Sequence, residues 1–321
     1  MKKLSEALPR VKRNVLLKDY TTYKIGGPAK YFFVAKNKED LVKAVKLAEE
    51  LKLPIFILGG GSNLLISDKG FNGLVIKIDI LDIKIQGNRA IAGAGADLTK
   101  LAHLSAGKGL SGLEWAAGIP GATVGGSIYG HAQAFGEKMS DIIKSVEAID
   151  IKTLKVKSFS KKQCQFSLKN SIFKKNKNLV IISAVLEFKK NNPNIAKKQI
   201  KENIAYRENR HPISFPSAGS AFVNPETIIK NRKLLMRFPE LNEYNKKGVI
   251  SSGYLISKCG LAGKKIGKAQ ISDKHANFII NLGGAKAKDV LALINLAKRK
   301  VKKIFGIDLE TEVQLVGFRK P

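Results

Sequence analysis

The sequence predicts an α+β protein, and three observations carry that expectation. Helical and strand patterns follow one another without the regular βαβ alternation of a doubly wound sheet. Apolar residues recur at helical spacing over 38–53 and 287–305. Short apolar runs bounded by Gly, Pro or Asn read as strands. In chain order, Leu41, Val42, Val45, Ala48 and Leu51 mark the first helix, which Pro54 closes. Residues 55–58 and 74–78 are buried strands, and 82–86 and 90–93 read as a strand pair. Residues 98–108 form a helix with Asp97 as N-cap. Residues 145–151, 155–159 and 179–188 are β-branched strand candidates. Asn191, Asn192, Pro193 and Asn194 break the chain before a polar helix over 195–210, which ends at His211 and Pro212. Residues 215–225 are turn-rich, 251–258 and 287–305 are helices, and 309–316 closes as a strand.

Composition narrows the function classes. The 321 residues give two or three domains as a prior. No stretch reaches the roughly 18–20 apolar residues of a membrane span. The basic N-terminus lacks a long apolar core, so no signal peptide is expected. Cys164 and Cys259 are isolated, which gives neither a disulfide framework nor a Cys-x-x-Cys metal site and suits a reducing, cytoplasmic compartment. The four histidines are widely spaced, so no metal is expected. Lys and Arg total 57 against 26 Asp and Glu, a net charge of +31. That excess alone motivates a nucleic-acid-binding reading. The lysines are spread along the whole chain without interleaved aromatics, which argues against nucleic acid as a partner. The same positive field steers anionic small molecules. The sequence leaves the oligomeric state open, with a monomer favoured.

Two glycine-rich runs carry chemistry. The first, after a buried strand, is Leu58 followed by Gly59, Gly60, Gly61, Ser62, Asn63 and Leu64. Glycine lets backbone approach a ligand closely, and successive N–H groups form an anion nest. The run is neither a Rossmann fingerprint nor a Walker loop. The second spans Gly118, Ile119, Pro120, Gly121, Ala122, Thr123, Val124, Gly125 and Gly126. Its glycine and proline content predicts a shaped loop rather than a helix or strand. The two runs together could clamp a dinucleotide from two sides.

With these runs, the chain resembles the UDP-N-acetylenolpyruvoylglucosamine reductase (UDP-N-acetylmuramate dehydrogenase) family. Further carriers of the resemblance are the run Tyr20 to Gly27, the stretch Pro216-Ser217-Ala218-Gly219-Ser220-Ala221-Phe222-Val223-Asn224-Pro225, the stretch His275-Ala276-Asn277-Phe278-Ile279-Ile280-Asn281, and Leu309 to Val313. They occur in the family's order from Thr21 to Val313, over nine tenths of the chain. The short stretch between Ser171 and Val180 is similar to the class that lacks a tyrosine-bearing loop.

The resemblance implies an FAD-binding fold of the vanillyl-alcohol-oxidase type. It has two α+β subdomains, at 1–78 and 79–205, and a C-terminal α+β substrate-binding domain at 206–306. A last segment, 307–321, returns to the first subdomain. It implies FAD as cofactor and NADPH as reductant. The implied substrate is UDP-N-acetylglucosamine enolpyruvate, reduced to UDP-N-acetylmuramate for peptidoglycan synthesis. Gly59 to Asn63, Gly118 to Gly121, Thr123, Gly125 and Gly126 would contact the cofactor. Ser220 matches the family's proton donor. Glu312 matches its catalytic glutamate, which acts while protonated and so needs burial to raise its pKa. Lys169 stands where the family has arginine, keeping the charge but not the two-pronged fork. Arg207 matches a family arginine, and Arg210, three residues later on the same face of the expected helix, joins it as a candidate contact of the UDP or flavin side; Asn224 matches a family asparagine that reads the UDP moiety. Residues 131–136 depart from the family pattern, with His131 in place of asparagine and Phe135 in place of tyrosine. These departures motivate an alternative, a divergent FAD-binding relative with weak or altered reductase activity.

Overall fold

The computed structural model describes residues 2–318; the last three residues of the expected returning segment 307–321 lie outside the described residues. The chain divides into two compact units. The first holds the residues up to Leu16, Pro28–Gly61 and Phe71–Arg207; the second holds Leu17–Gly27, Ser62–Gly70 and the residues from Glu208 on. Among the described residues no helix is long and apolar enough to cross a membrane.

The first unit is built on two sheets. One runs in the order Lys12–Leu16, Pro28–Ala35, Phe71–Ile78, Ile55–Leu58. Its last two neighbouring pairs are parallel, with Phe33 opposite Ile76 and Ile57 opposite Ile76. The helix Lys38–Glu50 buries Leu41, Ala44, Val45 and Ala48, and Asn37 caps its start by accepting from the Asp40 N–H at 2.8 Å. The other sheet is antiparallel, in the order Val156–Ser160, Ile143–Asp150, Leu179–Glu187, Arg89–Gly93, Ile83–Gln86. The helix Leu98–Gly107 starts as the sequence predicts, with Asp97 accepting from the Lys100 N–H at 2.6 Å.

Residues 118–126 differ from the expected loop. They form a loop as far as Thr123, and then the helix Val124–Tyr129 begins. Thr123 caps it by accepting from the Gly126 N–H at 3.3 Å. Gly125 lets it lie against the neighbouring strand end: its N–H donates to Ala94 O at 2.9 Å, and a Cβ there would come within 2.7 Å of the Ala94 methyl. Packing therefore overrides the poor helix propensity of two adjacent glycines.

The second unit packs around the helix Ala287–Phe305, which buries Val290, Leu293, Ile294, Ala297, Val301 and Phe305 and ends at the left-handed Gly306 (φ 74°). The Asp68 carboxylate accepts from the N–H groups of Ala287 and Lys288 at 2.9 and 3.2 Å, satisfying two of that helix's leading donors. A three-stranded sheet, Lys265–Ile266, Ala269–Ile271 and Ile279–Asn281, lies beside it. The expected strand over 309–316 shortens to Gln314–Val316, which pairs in parallel with Leu64–Ile66. The residues before it pair elsewhere: the Val223 N–H donates to Glu310 O at 3.0 Å and the Glu312 N–H to Ala221 O at 2.9 Å.

Candidate active site

In the first unit the two glycine loops touch. A Cβ on Gly60 would sit 1.6 Å from Gly121 O, and one on Gly59 would sit 3.0 Å from Thr123 Oγ1. Side chains at these positions would fill the space the backbones share. Gly118 and Gly121 take left-handed φ of 76° and 64°, and Gly61 takes 71°. The N–H groups of Gly60, Gly118 and Gly121 donate to no carbonyl or side chain among the described residues. Glycine backbone with such donors to spare suits a diphosphate-bearing cofactor. Ile119 packs on the apolar core, and Pro120 and Gly126 are exposed.

Arg207, in the helix Pro193–Arg210, is buried at 9% exposure beneath this loop. Its Nε donates to Ala117 O at 3.2 Å and an Nη to Trp115 O at 2.7 Å. Its guanidinium lies 5.2 Å from the centre of the Phe135 ring. Arg207 thus braces the backbone that leads into Gly118. Burial lowers its pKa, yet a guanidinium stays charged. Arg210, one turn on, is exposed.

Lys169 sits in a tight turn of the first unit. The Ser167 and Asn170 N–H groups bond each other's carbonyls at 3.1 Å, and Lys169 takes a left-handed φ of 51°. Its side chain is half-buried. Beside it His131 is buried, with φ 45°. Its Nδ1 lies 2.6 Å from Ser167 O, so that nitrogen carries the proton; the Nε2 then accepts from the Ser140 hydroxyl at 2.9 Å.

In the second unit the segments that carry Ser220 and Glu312 lie side by side. Residues 220–223 run antiparallel between two partners, with Ser220 opposite Phe278 and Phe222 opposite Thr311. Ala221, next to Ser220, accepts the Glu312 N–H at 2.9 Å. Gly219 turns left-handed (φ 73°) just before the serine. Both Ser220 and Glu312 are half-buried, whereas Glu310 is exposed. Asn63 donates through Nδ2 to Glu312 O at 3.2 Å and accepts the Gln314 N–H at 3.0 Å, so it fixes the backbone of the glutamate. Ser62 is half-buried. Asn224 is exposed, and its Oδ1 accepts the Ser252 N–H at 2.9 Å.

Several residues that hold this arrangement escaped the sequence reading of roles. Asn277, buried at 3%, bonds both the N–H and the carbonyl of Phe222 at 3.0 and 2.9 Å. The Thr22 hydroxyl donates to Ser217 O at 2.8 Å, and the Tyr23 hydroxyl to Ile279 O at 2.7 Å. A polar residue inside the apolar run 276–280 was the available signal, because buried amides need partners.

Both cysteines are free thiols, and burial pushes each up to about 11. Burial is also the first cause that lowers the pKa of His131, opposed by the Ser167 carbonyl and Asp141 and reinforced by Lys138 and Lys169. Burial lowers His275 likewise. In the unfolded chain these imidazoles protonate near the ordinary value of about 6.5. Below that pH the unfolded state therefore holds more protons, and stability falls with falling pH. Thermal unfolding should shift to lower temperature between pH 7 and pH 5. The double variant His131→Asn/His275→Asn should flatten that slope; an unchanged slope would remove both residues from the account.

Comparison with known proteins is consistent with this geometry. A family model for an FAD binding domain matches residues 29–156, and one for the C-terminal domain of UDP-N-acetylenolpyruvoylglucosamine reductase matches residues 211–316. The UDP-N-acetylenolpyruvoylglucosamine reductase of Anoxybacillus flavithermus is 38% identical over 99% of both chains. That of Lactobacillus acidophilus is 38% identical over 96% of this chain and 95% of its own. The crystal structure of UDP-N-acetylenolpyruvylglucosamine reductase from Thermus caldophilus superposes with a TM-score of 0.75 at 32% identity, covering 96% of this chain and 99% of that one. The likeness shows the α+β FAD-binding fold with its C-terminal α+β domain.

Proposed function

We propose, from the premise that this chain belongs to the UDP-N-acetylenolpyruvoylglucosamine reductase family and is a flavin-dependent oxidoreductase, that it uses NADPH to reduce UDP-N-acetylglucosamine enolpyruvate to UDP-N-acetylmuramate. The observation that supports this reading is that the backbone of Glu312 is bonded to Ala221, the residue next to Ser220. Bound FAD supplies the two-electron transfer from NADPH to C3 of the enolpyruvyl group. Residues 59–63 and 118–126 would hold the cofactor, with glycine amides available as donors to a diphosphate. The Ser220 hydroxyl gives its proton to C2 and regains one from solvent, so one proton is consumed for each NADPH oxidised. Glu312 is the proposed partner of the oxygen on which charge builds, and the Lys169 ammonium offsets that charge. Arg207, Arg210 and Asn224 are the proposed contacts of the UDP moiety, with Arg207 also bracing residues 115–117. The net charge of +31 favours encounter with both anionic substrates.

In the cell this reaction belongs to peptidoglycan precursor synthesis in the cytoplasm, and so to cell-wall growth, shape and division. The division into FAD-binding subdomains at 1–78 and 79–205 and a substrate domain at 206–306 stands as part of the same proposal. The purified protein should be yellow, with a flavin absorption band in the visible. It should oxidise NADPH at rates on the order of 1–10³ s⁻¹ only when the enolpyruvyl sugar is present. A colourless protein that takes up no FAD, or a yellow one indifferent to the sugar, would overturn the assignment.

A further inference from the structure

The turn that carries Lys169 has no apolar anchor at its tip. Leu168 is 44% exposed, and Lys169 is half-buried. Polar bonds hold the turn instead. Lys169 O accepts the Lys174 ammonium at 2.8 Å, and the Ser171 hydroxyl donates to Tyr129 O at 2.8 Å. Ser167 O accepts twice: from the Asn170 N–H, which closes the turn, and from His131. The imidazole is itself fixed from behind by Ser140 and stacks on Phe166 with ring centres 4.8 Å apart. Both His131 and Lys169 sit in the left-handed region, which side-chain-bearing residues occupy only where surroundings hold them. A lysine has a single flexible point of charge where an arginine has a rigid fork, so its effect depends more on where its backbone is held.

We propose that His131 is a positioning residue for the reduction: its bond to Ser167 O holds the turn, and through it the Lys169 ammonium, where charge develops on the substrate. The proposal rests on the assignment of Lys169 made above. Side-chain geometry separates it from a purely structural role. The Nδ2 of asparagine falls near the place of an imidazole Nδ1, whereas the Nε2 of glutamine falls near the place of Nε2. His131→Asn keeps the donor to Ser167 O; His131→Gln keeps only a partner for Ser140.

The experiment measures flavin absorption, kcat and KM for the enolpyruvyl sugar in His131→Ala, His131→Asn, His131→Gln, Lys169→Met and the double variant His131→Ala/Lys169→Met. Flavin content should stay at the wild-type level throughout. His131→Ala and His131→Gln should lose about 10-fold in kcat, the effect of one displaced hydrogen-bonded group. His131→Asn should stay within about 2-fold of wild type. Once Lys169 is methionine, His131→Ala should cost less than about 2-fold more, because its effect runs through the missing charge. Normal turnover in His131→Ala, an undiminished further loss in the double variant, equal losses for asparagine and glutamine, or loss of flavin would each overturn the proposal. Normal turnover in Lys169→Met would instead overturn the role given to Lys169, and with it this inference.

Discussion

Gly60→Ala is expected to give a colourless, inactive protein. The added methyl would stand 1.6 Å from Gly121 O, and that atom belongs to backbone rather than to a side chain that could rotate away. The nearest alternative neighbour, the Thr123 side chain at 3.2 Å, is committed to capping the helix Val124–Tyr129. Relief therefore requires the two loops to part. Overpacking of this kind costs about 1–3 kcal/mol. If all of it falls on the bound state, FAD affinity drops by roughly 5- to 150-fold, and displaced amides would deepen the loss. Gly87→Ala makes a control: a Cβ there meets nothing within 4 Å, although its φ of 57° adds some backbone strain. The two variants are compared by the ratio of flavin to protein absorption after purification, and by titration with FAD. Wild-type flavin content in Gly60→Ala would mean that the glycine loops do not hold the cofactor.

Ser220→Ala should leave the protein yellow and folded while lowering kcat by about 10³-fold, within the usual range for a lost proton donor. The fold should survive because the segment is fastened by backbone and by Asn277, not by the serine side chain. The reaction separates the roles further. Bleaching of the flavin band by NADPH should remain fast, since that step takes no proton from Ser220. Return of the band on adding the enolpyruvyl sugar should slow by the whole factor. Glu312→Gln should show the same split, with a smaller loss because the amide keeps a hydrogen-bonding group of the same shape in place. If bleaching and return slow equally, Ser220 acts in binding or folding, and the proton-donor role is wrong.

How much of this was readable from the chain alone depends on the kind of signal. The helix Ala287–Phe305 was plain, because its apolar residues repeat every three or four positions over five turns. The helices Arg232–Arg237 and Leu241–Lys247 were not, since they are short and bury Leu241 alone between them, leaving no periodic stripe. The strand Pro28–Ala35 also passed unnoticed: its continuous apolar centre, Tyr31 to Val34, does not tell strand from helix by period. The helix after Thr123 was hidden because packing against Ala94 outweighs glycine's propensity. For the site, the glycine runs announced themselves, while Ser220 and Glu312 stood out only through family resemblance. Their juxtaposition rests on long-range pairing that no local pattern encodes. His131 looked like an ordinary structural histidine, since its partner Ser167 lies 36 residues away in the sequence.

The parallel ladder between Leu64–Ile66 and Gln314–Val316 has a consequence for how the molecule is made. Translation delivers Asn63 long before Glu312, and 249 residues separate the two. The first unit ends at Arg207 and can settle while the ribosome is still at work. The second cannot, because the ribbon at Leu64–Ile66 waits for a partner that is made much later. A transcript cut short before Gln314 would still encode both glycine loops and Ser220, yet its product would keep a bare strand edge, an invitation to stick to its neighbours.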